Sequence, residues 1–463
     1  MKHRSLLKYM PYLLMALLLT GCGTKHRNQL EEFNQLYGAG QYTEAAESQI
    51  STKGRRNADS SELLELLQAA AALRAGREYE QSSILFDICE DIIKIHNQET
   101  LLGSAGSTTG SVLLNDTVLE YRASQYDGIM VNTYKALNFW KSGQEELARV
   151  EFNRALDRQR RAKAVFAAEI AQEKQQLREA QAEERHVDLG RNTENPEIDR
   201  VLRSRYSNLY EFKAYPDFVN PFTTYMAGLF FIADGDHAKG ISLLKEVYGM
   251  VGRNPTVQHD FLAAERYAEG VRDGKNYVWV IFENGLGPEK EEFRVDLPLF
   301  LVSNKVHYTG IALPRLRMRS RACGYLSVQQ GQHSVETQML ASMDRIVQTE
   351  FKKKYKGIVQ RAVASAVIKT TAQYMAQREM GDLGGILFAV FQAFTTAADL
   401  RIWTALPKEF QLAKIETPAD GRLTLATPTG LKTAITVPVG KNAIVYVKIP
   451  TSGMNIAYEI IEM

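Results

Sequence analysis

Few residues in this 463-residue chain stand in patterns that support chemistry. Its eight histidines are scattered. No pair has the spacing of H-E-x-x-H and there is no C-x2-C, so the sequence assigns no metal. There is no G-x-S-x-G elbow. Ser334 follows His333, but adjacency in sequence does not set a base against a nucleophile. Catalytic residues and cofactors are therefore not expected. The most distinctive loop is "ENGLGPEKEE", Glu283 to Glu292, between two strand-like segments. Its Glu283, Asn284, Gly285, Gly287, Pro288 and Lys290 suit either a structural hairpin turn or a recognition loop. A lone G-x-G with no helix behind it does not make a nucleotide site, and "GSAGSTTG" at 103–110 lacks the lysine of a phosphate loop.

One covalent reaction does have a sequence signal, and it falls on Cys22. Lys2, Arg4 and Lys8 form a basic leader, and Tyr9 to Thr20 is an apolar run of about a dozen residues, the layout of an export signal. A spanning helix needs roughly 20 apolar residues, so this run is too short to be one. Leu19-Thr20-Gly21-Cys22 resembles the bacterial lipobox, in which the cysteine sulfur takes diacylglycerol, the chain is cut before it, and the new amino group is acylated. Several acyl chains, at about 0.8 kcal/mol per buried methylene, hold a protein stably in a leaflet. Gly23 stands where an aspartate would resemble an inner-membrane retention signal, so sorting to the outer membrane, facing the periplasm, is expected. Membrane contact is thus expected through the lipid on Cys22.

The whole chain has 56 basic and 54 acidic residues. Removing Lys2, Arg4 and Lys8 with the leader leaves it close to neutral, with no electrostatic footprint for nucleic acid. Cys89 and Cys323 remain, and two buried free thiols are expected.

The elements divide by period. Between 29 and 275, four places show a helical pattern, a glycine-bearing turn and a second helical pattern, at Gly40, Gly76, Gly143 and Gly235. The first two lie close to the tetratricopeptide repeat of about 34 residues apart. In the third, Ala136 and Phe139 precede the turn and Ala148, Phe152, Ala155 and Leu156 share one face after it. The helical pattern then continues over about 144–185 as an arm that would exceed about 50 Å, pairing with the helix near Glu197 to Phe212. From Asn276 short strands rich in β-branched and aromatic residues take over, as in an antiparallel sandwich. A helical insertion at about 341–398 interrupts them, and its second half, Gly385 to Ala398, is nearly all apolar.

The expected fold is α+β and multidomain: signal peptide 1–21, lipidated tether 22–28, tetratricopeptide-like helical domain 29–275, then an antiparallel β domain 276–463 with an inserted helical hairpin. The segments Lys135 to Leu156, Glu283 to Phe300 and Ala398 to Ile415 resemble, in order, a family of uncharacterised envelope lipoproteins of Gram-negative bacteria with such repeats. The resemblance implies no activity. By association it implies a link to peptidoglycan synthesis, because members are often encoded near lipoprotein activators of peptidoglycan synthases. The expected function is a non-enzymatic scaffold or adaptor for an envelope protein or peptide. The alternative is glycan or lipid binding through the β domain. If Cys22 is the lipidation site, Cys22→Ser will accumulate as uncleaved precursor and take up no labelled palmitate. Normal maturation and labelling would refute it.

Overall fold

The structure is a computed structural model that describes residues 28–50, 63–102, 120–183, 189–206, 215, 217–251, 254–271, 273–300, 306–380 and 397–463. The leader, Cys22, Gly23, the 103–110 run and the apolar stretch from Gly385 to 396 lie outside the described residues. The helical half holds α1 (28–38), α2 (Tyr42–Gln49), α3 (Leu63–Ala75), α4 (Tyr79–Leu102), α5 (Gln125–Lys141) and α6 (Glu145–Glu183). It continues with α7 (Leu189–Thr193), α8 (Pro196–Arg205), α9 (Pro221–Ala233), α10 (His237–Val251) and α11 (Pro255–Ala268). Three of these starts share one local cause. Asn195, Asn220 and Asn254 each accept a backbone N–H of the first turn, and a proline with preset φ follows each of them.

All four expected turns join helix pairs. Gly40, Gly143 and Gly235 take the left-handed conformation (φ 75°, 70° and 84°) that a side chain resists. At the second turn the left-handed residue is Arg77 (φ 68°) and not Gly76; the Arg77 guanidinium donates to Tyr458 O at 2.6 Å. Successive pairs stack: α2 lies on α3, α4 on α5 and α6, and α9 on both α5 and α6. Ala136, Ala148, Phe152, Ala155 and Leu156 are buried as their spacing predicts, and Phe139 is partly buried.

The strands are β1 (Tyr277–Asn284), β2 (Glu289–Phe300), β3 (Val306–Arg317), β4 (Ser327–Gln330), β5 (His333–Glu336), β6 (Gln338–Ser342), β7 (Glu409–Glu416), β8 (Arg422–Ala426), β9 (Lys432–Thr436), β10 (Ala443–Ile449) and β11 (Ala457–Glu462). They form a five-stranded sheet in the order β11-β10-β1-β7-β6, a four-stranded sheet β5-β4-β8-β9 and a β2-β3 ribbon. Among the described residues every pairing is antiparallel except β1 with β10, which run parallel. The fold is therefore α+β with a largely antiparallel C-terminal region. The loop after β1 is not a hairpin turn, because β1 and β2 belong to different sheets.

β1 reads as an almost unbroken apolar run because both its faces are covered. Val278, Val280 and Phe282 face a core shared with Ala413, Ile415, Val445, Val447 and the four-stranded sheet's Val328, Leu423, Leu425 and Ile435. The alternate residues Trp279 and Ile281 join the helices' core, with Leu412, Ile444, Tyr446 and Ile461. Layers thus run helices, five-stranded sheet, four-stranded sheet.

Two expectations change here. α6 runs 39 residues, roughly 58 Å, but its distal half is braced by α12 (Met343–Met380), where Lys354 meets Glu169 at 3.0 Å and Arg361 meets Glu173 at 3.7 Å. α8 packs on β2 instead of serving as that brace. The second change concerns the domain division. Secondary structure switches near 276 as expected, yet one core runs from Phe33 to Ile461 through both halves. Phe222 of α9 stacks on Phe410 of β7 with ring centroids 3.6 Å apart. Residues 29–275 expressed alone should therefore aggregate or melt without cooperativity. A cooperative helical melt by circular dichroism would show that the helices need no sheet.

Candidate functional site

Where the helices meet the sheet, the apolar seam is interrupted by charge. Glu283, at the end of β1, is 2% exposed. Pairing in register with β10 sets Lys448 beside it, and the ammonium donates to its carboxylate. Two residues back on the same face, the Tyr446 hydroxyl donates to Glu283 Oε1 at 2.5 Å, and Tyr134 of α5 donates to that oxygen at 2.8 Å. Glu459 of β11 stands opposite Tyr446 and binds Arg74 at the end of α3 at 2.8 Å. Tyr79, in the first turn of α4, also donates to Glu459. The Arg74 guanidinium lies over the rings of Tyr134 and Tyr446, 5.4 and 5.1 Å from their centroids, and donates to Asn138 Oδ1 at 2.6 Å. Glu283, Lys448, Tyr446, Tyr134, Arg74 and Glu459, with Tyr37, Arg77 and Tyr458, line a cavity of about 40 Å³, room for a few water molecules.

The electrostatics follow from placement. Burial would raise the Glu283 carboxyl, but Lys448, the Tyr446 hydroxyl and Arg74 outweigh it and hold it below the usual range. Burial would depress Lys448, and Glu283 more than offsets that, so the ammonium is held charged. Burial, then the adjacent Glu283, push the Tyr134 and Tyr446 phenols well above their usual range, so both stay donors. Glu283 thus takes three donors and Glu459 two, all from this chain. The arrangement clamps two layers together.

A second buried network lies within the helices. Lys135 is fully buried, with its ammonium 2.6 Å from both Asp87 and Glu90 and 3.1 Å from Glu151. Asn132 donates to Glu151 at 2.7 Å and accepts from Arg158 at 2.6 Å. It ties α4, α5 and α6 to one another.

The loop from Glu283 to Lys290 turns inward, with Glu283 to Pro288 buried. Asn284 accepts from the N–H groups of Ala322 and Cys323 at 3.0 and 3.2 Å and donates to Cys323 O and Glu409. Gly285 has φ 71°, and a Cβ there would sit 2.8 Å from Ser320 O. The Gly287 N–H donates to Leu406 O at 2.7 Å, Pro288 is buried, and Lys290 donates to Arg401 O at 2.9 Å. The polar groups of Asn284, Gly287 and Lys290 are satisfied largely by neighbouring connecting segments, with Glu409 of β7 the strand partner of Asn284. Only Glu283 of this set belongs to the seam. Cys89 and Cys323 are free thiols; Cys89 is buried, whereas Cys323 is only part-buried. Among the described residues, no group of three or more His, Cys, Asp or Glu is placed to hold a metal ion, and no helix is long and apolar enough to cross a membrane.

The seam's charged members were not legible in the sequence, where lone Arg, Lys and Glu read as solvated. The available signal was Lys448 within "AIVYVKI", a charge on the inward face of a strand buried on both sides. No family model matches this chain, and no curated protein and no solved structure matches it either.

Removing one partner of a buried pair strands the other. Glu283→Gln should cost about 3–5 kcal/mol in urea unfolding at pH 7. Glu283→Gln with Lys448→Met should recover most of that. Because the folded carboxyl is held low, the pair's contribution is present above the ordinary glutamate pKa of about 4.3 and is lost as pH falls through the lower folded value. Equal stability of single and double variants would show that the two do not act as a pair.

Proposed function

We propose that this chain is a lipid-anchored, non-enzymatic scaffold of the cell envelope. On this reading it is held at the outer membrane through Cys22, and its tetratricopeptide-like helical half binds an envelope protein or peptide. The observation that carries the binding half is a set of exposed apolar side chains on the outer face of α4, set among polar ones. α4 buries Leu85, Phe86, Cys89, Ile92 and Ile93 on one side, yet Ile84, Ile95, Leu101 and Leu102 on the other are at least half exposed. α6, which packs on α4, adds the exposed Leu147 and Val150. Exposed apolar residues gathered on neighbouring helices mark a surface that another chain covers. Stacked helix pairs present such surfaces as a consequence of their packing.

Glycan binding through the β region is the weaker reading. It would call for exposed aromatic side chains on the sheets, and among the described residues the aromatics there are buried or part-buried. The anchor rests on Leu19 to Cys22 and the basic, apolar leader before it.

The experiment is crosslinking in intact cells, comparing wild type with Ile84→Arg/Ile95→Arg and with Met339→Arg/Val439→Arg on the strand side. All four positions are exposed, so each variant should keep its fold within about 0.5 kcal/mol per site. An envelope protein enriched with wild type should fall at least tenfold with the α4 variant and persist with the other. Enrichment that follows the strand-side variant, or retention of glycan alone, would replace the scaffold reading with the glycan one.

A further inference from the structure

The start of α5 carries two carboxylates on consecutive backbone amides. The Ser124 N–H donates to Asp127 Oδ2 at 2.8 Å and closes a capping box. The next amide, Gln125 N–H, donates to Glu350 Oε2 of α12 at 2.9 Å. The Gln125 side chain then donates to Glu169 of α6 at 2.7 Å. Lys354 of α12 lies 2.9 Å from Glu350 and 3.0 Å from Glu169. Asp127 is fully buried; the Tyr121 hydroxyl donates to its Oδ2 at 2.9 Å, while its Oδ1 has no hydrogen-bond partner.

Three acids from three helices therefore face one ammonium and the fractional positive charge of a helix N-terminus, about half a unit. The remaining neighbours of Asp127 do not correct the imbalance. α4 offers the Cys89 thiol, which burial keeps protonated, and α5 and its cap offer the Tyr126 and Tyr121 phenols. Lys290 of β2 acts on Asp127 as a further cation, but burial depresses it, and its own ammonium donates to Arg401 O. In the 397–401 segment Asp399 is matched by Arg401 at 2.8 Å. Carboxylates crowded into one buried site do not all ionise.

We propose that this junction is a proton-operated brace: a proton on Asp127 keeps α5, α6 and α12 together, and its loss loosens α12 and the arm from α5. Neutral Asp127 leaves Glu350 and Glu169 to share Lys354. Ionised Asp127 adds a buried negative charge with one oxygen unpartnered. Burial, with Glu350 reinforcing it against the Ser124 amide and Lys354, pushes the Asp127 carboxyl up to about 7. Glu350 is also raised, by burial and by Glu169 against Lys354. A carboxyl raised in the folded state contributes stability that is complete below its unfolded value of about 3.9 and is lost as pH rises through the folded one. The brace is tight in acid and slackens toward neutral pH. It is read from contacts within the chain, so it stands apart from the scaffold reading.

The test is amide hydrogen exchange of the full chain from pH 5 to 8, corrected for the intrinsic rate. In wild type, protection at the start of α5 and in the facing turn of α12 should fall, approaching tenfold per pH unit between about 5 and 6.5, then level off above 7. Asp127→Asn, which mimics the neutral acid, should hold the acid-state protection across the range. Glu350→Gln, which keeps an acceptor for the Gln125 amide, should lower the Asp127 midpoint by about a unit, so that protection stops falling at lower pH and levels off higher than in wild type. A flat wild-type profile, or an Asp127→Asn profile with the wild-type slope, overturns the proposal. Should Asp127→Asn not fold, carboxyl-carbon NMR of wild type decides: a midpoint near 7 supports the brace and one near 4 overturns it.

Discussion

The carboxylate of Glu283 must be neutralised where it lies, between a layer of helices and a layer of strands. That requirement binds parts of the chain far apart in sequence. Lys448 and Tyr446 arrive through the parallel pairing of β10 with β1, and Tyr134 arrives from α5. Arg74 and Glu459 repeat the device one strand over. A buried pair contributes little net energy against an apolar substitute, but it tolerates only one relative placement of its members. The charges fix where the helices sit; the apolar core on either side supplies most of the stability.

That division of labour fits a scaffold. The described charged clusters are largely turned inward, binding α3 to β11, α5 to β1, and α4 to α5 and α6. Among the side chains left outward on α4 and α6, the apolar Ile84, Ile95, Leu147 and Val150 stand between charged neighbours such as Asp87, Arg154 and Arg161. A surface already ordered before binding loses little conformational freedom when a partner covers it.

Much of the fold was legible in the sequence because local chemistry and tertiary packing agreed. Strands begin at Tyr277, where the period changes, and three of the four helix pairs turn at a left-handed glycine. The arm's brace was not legible. Nothing in residues 144–185 says which helix covers them, and the covering element comes from nearly two hundred residues later. β5 and β6 were also missed; they are short, and Ala341, at the end of β6, looks like the first turn of the helix that begins at Met343. The loop at Glu283 misled for a physical reason: glycine, proline and charge mark an exposed turn and a buried crossover alike. Gly285 is needed there because backbone passes too close for a side chain.

The core also sets a timetable. Tyr37 donates to Ala405 O across 368 residues, Gln68 to Thr404 across 336, and Arg74 to Glu459 across 385. Trp403 packs against both Phe86 and Tyr134, so α3 to α5 wait for a segment well over two hundred residues later before their inner faces are covered. Contacts this distant close slowly, because the intervening chain must be gathered first. Until then the nascent chain exposes Leu- and Ala-rich helix faces, and it depends on holding factors or on rapid completion to escape aggregation. A chain that stopped before β10 would consequently leave Glu283 without Lys448 and Tyr446, and Arg74 without Glu459, so the loss would reach helices far from the missing strands.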